Sequence, residues 1–207
     1  SGQAAPVADG SFAITGATVI DGVANAPLED ATILVRDGRI TAVGPAGTTQ
    51  VPSGVRRIDA RGKTIIPGLW DMHAHASQIE WAPAYLGAGV TSIRDMGGER
   101  AFLVAFRDAL AAKRGPGPRM LLAGLVDGDA PDAFGSVVAG TPETARADVD
   151  RYHADRFEQM KLYSLLQPPV VDAIIARAHE HGMTVTGHVP TALGIRRAVE
   201  AGMDHVA

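Results

Sequence analysis

Apolar and polar residues alternate along the first third of the chain, and a period of two predicts β-strands. The stretches SFAITGATVIDG, ATILVRDG and RITAVGP follow this pattern, and no helical period of apolar residues appears before Thr64. Asp37-Gly38, between the last two stretches, predicts a tight hairpin turn. Residues 11–64 are therefore predicted to form a small, mostly antiparallel β-domain.

From Thr64 onward, predicted strands alternate with amphipathic helices. The strands cover residues 64–75, 89–95, 119–125, 158–164 and 183–189, and a sixth begins at Met203. The helices cover residues 77–87, 99–114, 168–182 and 191–202, and another begins at Pro142 after the N-cap Thr141. Repeated strand–helix units predict parallel strands covered by helices, as in an open doubly wound sheet or a (β/α)₈ barrel.

Two observations favour the barrel. No GxGxxG or phosphate-binding loop follows a predicted strand, which weakens a nucleotide-binding doubly wound sheet. Polar residues instead recur where strands end, and a barrel places its active site at the carboxyl ends of its strands. The second part of the chain is therefore predicted to be the first part of an α/β barrel.

Composition and charge exclude several classes of partner. The net charge is −4 with no basic run, so no nucleic-acid partner is expected. No apolar run reaches the length of a membrane span, so no membrane partner is expected. Cysteine is absent, which leaves nitrogen and oxygen donors for any metal ion. Residues 1–10 are small, polar and patternless, as expected of a disordered segment, a tag remnant or a start left by signal removal.

His73 and His75 end an apolar run in the stretch GLWDMHAH. On a β-strand, residues two apart share a face, so both imidazoles point to one side with Cα atoms about 7 Å apart. Imidazole is the commonest protein metal ligand. The pair is interpreted either as two ligands of one ion or as two separately hydrogen-bonded histidines at a strand end.

Lys161 lies in the stretch EQMKLYS, where alternation places it on one face with Gln159 and Tyr163. That face points into the barrel, and a buried ammonium is costly unless it is paired. Reaction with carbon dioxide would convert it to an anionic carbamate able to bridge two metal ions; the alternative is an inward lysine paired with an acid. His188, at the end of the fifth strand, is either a ligand or a hydrogen-bonded core histidine.

The stretches GLWDMHAH, GVTSIRDMGG, QMKLYS, TVTGHVPT and AGMDHVA, in this order over residues 12–207, resemble the amidohydrolase superfamily of metal-dependent hydrolases. The resemblance is closest to the imidazolonepropionase-like branch that includes Xaa-Pro dipeptidases and ochratoxin-type amidases. It implies a (β/α)₈ TIM-type barrel, incomplete here with strands one to six, and a small N-terminal β-sandwich domain over residues 11–64.

The resemblance also implies the role of each candidate site residue. His73 and His75 match ligands of the more buried metal, and His188 matches a ligand of the second. Lys161 matches a lysine that is carbamylated by CO₂ and bridges two divalent ions, expected to be Zn²⁺. Tyr163 lies two residues nearer the barrel mouth, where it either contacts substrate or closes a layer of side chains.

The implied reaction is cleavage of an amide or peptide-like C–N bond by a metal-bridged hydroxide. Its expected substrate is a small molecule such as a dipeptide or an N-acyl amino acid, and a homo-oligomer is expected. Two alternatives are a mononuclear deaminase or cyclic-amide hydrolase of the imidazolone type, and an inactive fragment. The deaminase type lacks a carbamylated lysine, so Lys161 argues against it.

The match to the family pattern ends at residue 207. The family's sixth-strand pattern, A-G-x-D-x-x-x-H, begins at Ala201, and its histidine would be the next residue; His205 is out of that register. The metal-binding aspartate of strand eight is also expected further on. A whole barrel needs about 250 residues, so the chain is expected to require a C-terminal half.

Two further polar features are expected to be structural. Arg94 and Asp95, at the end of the second barrel strand, are predicted to pair with each other rather than to bind a substrate carboxylate. His179 and His181 are predicted to complement the dipole at the end of their helix.

Overall fold

The computed structural model describes residues 10–135 and 137–207. The chain divides into two compact units, Ser1–Pro67 and Gly68–Ala207, called unit 1 and unit 2 below. The division falls after Pro67, close to the expected domain boundary at Thr64. The expected disordered or processed segment, residues 1–10, lies outside the described residues except for Gly10.

The described residues of unit 1 form one sheet of five strands. The strands are β1 (Phe12–Val19), β2 (Leu28–Arg36), β3 (Arg39–Pro45), β4 (Arg56–Asp59) and β5 (Thr64–Ile65). Their order is β3-β2-β1-β4, with β5 also pairing with β1. β1, β2 and β3 pair antiparallel, whereas β4 and β5 pair parallel with β1. Residues 10–67 thus form a single layer, and the second layer of the expected sandwich is not found among them.

The hairpin between β2 and β3 confirms the predicted turn. Asp37 and Gly38 both have positive φ angles, of 52° and 70°. Two successive residues with positive φ are what a tight type I′ hairpin requires, and Asp-Gly is among the sequences that tolerate it. The sheet packs its buried face around a small core of Ala31, Ile33 and Val19.

Unit 2 alternates strands and helices. The strands are β6 (Leu69–Ala74), β7 (Val90–Asp95), β8 (Arg119–Gly128), β9 (Val138–Ala139), β10 (Gln159–Leu162) and β11 (Thr184–Gly187). The helices are α1 (Trp81–Gly87), α2 (Arg100–Ala111), α3 (Pro142–Ala154), α4 (Pro168–Glu180) and α5 (Ile195–Ala201). The sheet has the order β11-β10-β8-β7-β6, with the short β9 pairing with β8, and all of these pairs are parallel.

Helix starts follow from local chemistry. Thr141 caps α3 by accepting the Thr144 amide, and Pro142 occupies the first helical position as predicted. The prediction that α1 begins near residue 77 is wrong, because the helix begins at Trp81. The reason is Pro83, which is tolerated in a first helical turn but would break a helix begun four residues earlier.

A sixth strand is not formed in residues 203–207, so that part of the prediction is wrong for the described residues. The segment nevertheless lies beside β11. The amides of Asp204 and His205 donate to the Val185 carbonyl, and that of Ala207 donates to the Gly187 carbonyl. Pairing along this edge begins, but it does not extend far enough to make a strand.

The core of unit 2 lies between the sheet and its helices. Met160 and Leu162 of β10 are fully buried in it, together with Ile174 of α4. Because side chains alternate along β10, Lys161 points to the opposite face, away from the helices. Among the described residues, no helix combines the length and apolar character needed to cross a membrane.

Candidate metal centre

His73 and His75 lie together at the carboxyl end of β6. Their ring centroids are 5.3 Å apart, and both side chains are exposed. Ala74 between them is buried in the helix-facing core. The shared face predicted by strand alternation is therefore present in the structure.

The His75 ring is held in one orientation by its backbone contacts. Its Nδ1 lies 2.8 Å from the Gly97 carbonyl oxygen. A carbonyl can only accept, so Nδ1 carries the proton and Nε2 keeps its lone pair, as in metal-binding histidines. The fully buried Asp95 fixes both ends of this contact, because its carboxylate accepts the amides of Ala76 and Gly97.

Lys161 is the buried charge of the site. Its side chain is 2% exposed, and Nζ lies 3.4 Å from Nε2 of His73. No carboxylate of a described residue forms a salt bridge with Nζ within 4.0 Å, although the buried carboxylate of Asp95 interacts with Lys161 over a longer distance. Burial lowers the pKa of Lys161, and the positive charge of Arg94 lowers it further. Burial and then the charge of Lys161 likewise lower the pKa of His73.

His188 and Tyr163 form a second pair at the same edge of the sheet. Their rings stack with centroids 4.3 Å apart. The His188 amide donates to Leu162, which places it directly after β11 and beside the end of β10. Burial, followed by the charge of Lys161, lowers the pKa of His188.

The two pairs are linked through Lys161, whose Nζ lies 5.9 Å from the centre of the Tyr163 ring. The structure thus joins His73, His75, Lys161, Tyr163 and His188 by successive contacts. Within residues 10–135 and 137–207, however, no three side chains of the His, Cys, Asp or Glu type converge as a ready metal-binding group. The nitrogen donors therefore lie at the carboxyl edge of the unit 2 sheet, but the described side chains do not converge on one position where a metal ion could bind.

The predicted pairing of Arg94 with Asp95 is wrong. The Arg94 guanidinium donates to the Met72 carbonyl and to the Gln159 side chain, whereas Asp95 accepts backbone amides. Adjacent strand residues point to opposite faces, so the two side chains cannot meet.

The other histidines lie apart from the centre. His179 contacts the Asp204 carboxylate, with Nε2 and Oδ2 3.0 Å apart, and His181 contacts Asp150 at 2.7 Å. His153 stacks on His181. His205 is exposed on the segment beside β11. Carboxylates, rather than the helix dipole alone, therefore account for the positions of His179 and His181.

Asp127 and Phe134 belong to the site region but were not predicted from sequence. Asp127, near the end of β8, is 1% exposed and accepts the amides of Gly128, Phe134 and Leu165, each at 2.8 Å. Phe134 stacks on Tyr163 with ring centroids 4.7 Å apart. The Leu165 amide lies 38 residues from Asp127 in the sequence, so no local sequence pattern could predict that Asp127 binds it.

Comparison with curated proteins finds several similar sequences, among them an allantoinase and an imidazolonepropionase. An allantoinase from Solibacter usitatus is 33% identical over 145 residues, covering 57% of this chain and 31% of the relative. An imidazolonepropionase from Salinispora tropica is 31% identical over 130 residues, covering 63% of this chain and 25% of the relative. The chain thus spans less than a third of each. No protein-family model matches the chain.

Comparison with solved structures covers more of the chain. A candidate prolidase from Bifidobacterium longum matches with a TM-score of 0.80 and 29% identity, covering 95% of this chain and 53% of that one. A Xaa-Pro dipeptidase solved with methionine in its active site also gives a TM-score of 0.80, at 23% identity, covering 95% of this chain and 61% of that one. The second match shows the fold alone.

Unit 2 is an α/β unit whose parallel sheet resembles half of a barrel. Its imidazole and amine donors lie at the carboxyl ends of the strands. The similarity to these curated relatives and structural neighbours supports the assignment of the chain to the amidohydrolase superfamily.

Proposed function

We propose that the protein is a metal-dependent amidohydrolase that cleaves an amide or peptide-like C–N bond. The observation that carries the proposal is the placement of Lys161: a buried lysine that forms no salt bridge with a described carboxylate and contacts a strand-end histidine. A lysine that was only structural would be expected to have an anion beside it. The prolidase candidate among the structural neighbours supports a dipeptide or a related N-acyl amino acid as the substrate.

The donor set fits divalent metal ions of the Zn²⁺ type. His75 has its Nδ1 proton committed to a carbonyl, which leaves Nε2 to act as a ligand. His73 and His188 supply two more imidazoles near Lys161. Addition of CO₂ to the Lys161 amine, with loss of a proton, forms a new N–C bond and a carbamate whose two oxygens could join two ions. Activation of water and polarisation of the scissile carbonyl are the chemistry that such ions supply when bound.

The chain's own residues would position the substrate around that centre. Tyr163 stands between Lys161 and His188, so its hydroxyl is proposed to contact the substrate beside the scissile bond. Asp95 keeps His75 and its neighbouring loop in place through two backbone amides. The proton acceptor is proposed to lie on a later barrel strand, as the resemblance implies.

We propose that the whole protein closes the sheet of unit 2 into a (β/α)₈ barrel. Leu69, Trp70 and Met72 of the edge strand β6 are exposed, and further barrel strands and helices would cover them. The single layer of unit 1 would gain a second layer in the same way and become a β-sandwich. A small amide as substrate and a homo-oligomeric state remain part of the proposal.

Deamination and cyclic-amide hydrolysis are the competing activities, because the curated relatives include a guanine deaminase from Escherichia coli and an allantoinase. These alternatives make different demands on Lys161. A mononuclear deaminase site needs no carbamate, whereas the proposed site loses its bridging ligand when the lysine is removed.

The test is the Lys161→Ala variant of the full-length protein, measured for metal content and for hydrolysis of dipeptides. We expect loss of bound metal and of turnover, with partial recovery of turnover when acetate or propionate is added to replace the carbamate. Lys63→Ala, which removes an exposed lysine of unit 1, is the matched control and should leave both unchanged.

Unchanged metal content and turnover in Lys161→Ala would show that the lysine is structural and would overturn the proposal. Deamination of guanine by the unmodified protein, with no dipeptide hydrolysis, would instead favour the competing activity.

A further inference from the structure

A cavity of about 270 Å³ lies between the loop that follows β7 and the loop that follows β8. Leu125 and Phe134 are its main apolar side chains, and the other described lining residues are Glu99, Tyr152 and three glycines. We call it the Phe134 pocket. Its volume falls just below the range of cavities that enclose a whole drug-sized ligand, so it suits one substituent of a substrate.

The polar groups of the lining are already used within the protein. The Glu99 carboxylate accepts the amides of Ala101 and Phe102 at the start of α2. The Tyr152 hydroxyl donates to the Leu125 carbonyl at 3.0 Å. The Phe134 pocket therefore offers an apolar surface, and an apolar occupant would lose no hydrogen bond on entering it.

Both walls of the Phe134 pocket reach the candidate metal centre. On one side, Gly97 lines the pocket and its carbonyl holds His75. On the other side, the Phe134 ring stacks on Tyr163, which in turn stacks on His188. A substituent in the pocket would therefore extend from a reacting group held between these residues.

The Phe134 wall is anchored although its side chain is 52% exposed. The buried Asp127 accepts the Phe134 amide at 2.8 Å, and it also holds Gly128 and Leu165. An exposed aromatic ring fixed by its backbone and by stacking is a preformed binding surface, since little side-chain freedom remains to be lost. Phe134 therefore has the properties of a recognition residue.

We propose that the Phe134 pocket binds an apolar side chain next to the scissile bond and makes the enzyme selective for amides that carry one. The inference rests on the proposed amide hydrolysis and names the substrate class within it. Phe134 acts as the specificity-determining residue, and Asp127 is the positioning residue that holds it.

The test compares hydrolysis of Ala-Ala, Phe-Ala and Ala-Phe by the full-length protein and its Phe134→Ala variant. We expect one phenylalanine dipeptide to be preferred over Ala-Ala in kcat/KM, and Phe134→Ala to reduce that preference about tenfold. Phe134→Tyr, which keeps the ring, should restore the preference. Ile40→Ala removes an exposed apolar side chain from unit 1 and should leave the preference unchanged.

A binding measurement separates this inference from the proposed reaction. Calorimetric titration with N-acetyl-L-phenylalaninamide and N-acetyl-L-alaninamide requires no turnover. Tighter binding of the phenylalanine ligand, lost in Phe134→Ala, supports the pocket even if no dipeptide is hydrolysed. Dipeptide hydrolysis with the same preference in Phe134→Ala as in the unmodified protein would overturn the pocket while leaving the proposed function standing.

Discussion

Replacing Asp127 by asparagine should destabilise the carboxyl edge of the unit 2 sheet by about 2–4 kcal/mol. In the structure, Oδ1 accepts the amides of Gly128 and Leu165, and Oδ2 accepts that of Phe134. Asparagine keeps one oxygen, so two of these bonds survive as weaker neutral ones. Its amide nitrogen then faces the Phe134 N–H, donor against donor, and that bond is lost.

The magnitude follows from the number and type of these bonds. Three hydrogen bonds to a charged acceptor contribute about 2 kcal/mol each, whereas the two that remain contribute about 1 kcal/mol each. The difference is partly offset because asparagine avoids the cost of burying a charge at a side chain that is only 1% exposed. These contributions combine to the range of about 2–4 kcal/mol given above.

Two measurements on the full-length protein would check this prediction. Urea unfolding followed by circular dichroism gives the change in free energy of unfolding, and hydrogen exchange reports the Phe134 amide directly. That amide should exchange more than tenfold faster in Asp127→Asn. Asp132→Asn makes the same chemical change at an exposed residue of the same loop and should alter stability by less than about 0.5 kcal/mol.

Equal unfolding free energies for Asp127→Asn and Asp132→Asn, together with an unchanged exchange rate of the Phe134 amide, would refute this prediction. That result would mean that the three short contacts contribute nothing to holding the loop. Among the contacts of the described residues, the stacking of Phe134 on Tyr163 would then be left to hold the pocket wall.

Two further predictions concern backbone and charge. Gly187→Ala should lower the midpoint of thermal unfolding by at least about 4 °C, because Gly187 has a φ of +121° and an added Cβ would collide with the Leu162 carbonyl; an unchanged midpoint would contradict this. The Asp59 carboxyl should titrate with a pKa of about 2, lowered chiefly by its hydrogen bonds from the Arg61 side chain. Its contribution to stability is therefore present above the unfolded pKa near 3.9 and is lost as the pH falls toward about 2. Carbon NMR titration of Arg61→Gln should show the midpoint moving up toward the ordinary value, and no movement would exclude the pairing.

The local pattern of the chain predicted most of the strands and helices and which faces some residues share, although the sixth barrel strand was not formed in the described residues and β9 was not predicted. Period-two alternation placed His73 and His75 on one side of β6 and turned Lys161 away from the helices, since strand geometry depends only on adjacent residues. Asp37-Gly38 specified its turn because positive φ is a property of those residues themselves.

Contacts between distant segments were decided only by the tertiary structure. Asp127 gathers amides from two loops, and Phe134 reaches Tyr163, because the parallel sheet brings loops that follow different strands to one edge. Arg94 and Asp95 are neighbours in sequence, yet they find partners on different strands and loops. Their hydrogen-bond partners depend on which segments the fold places around them. The positions of Arg94 and Asp95 in the sequence do not predict that arrangement.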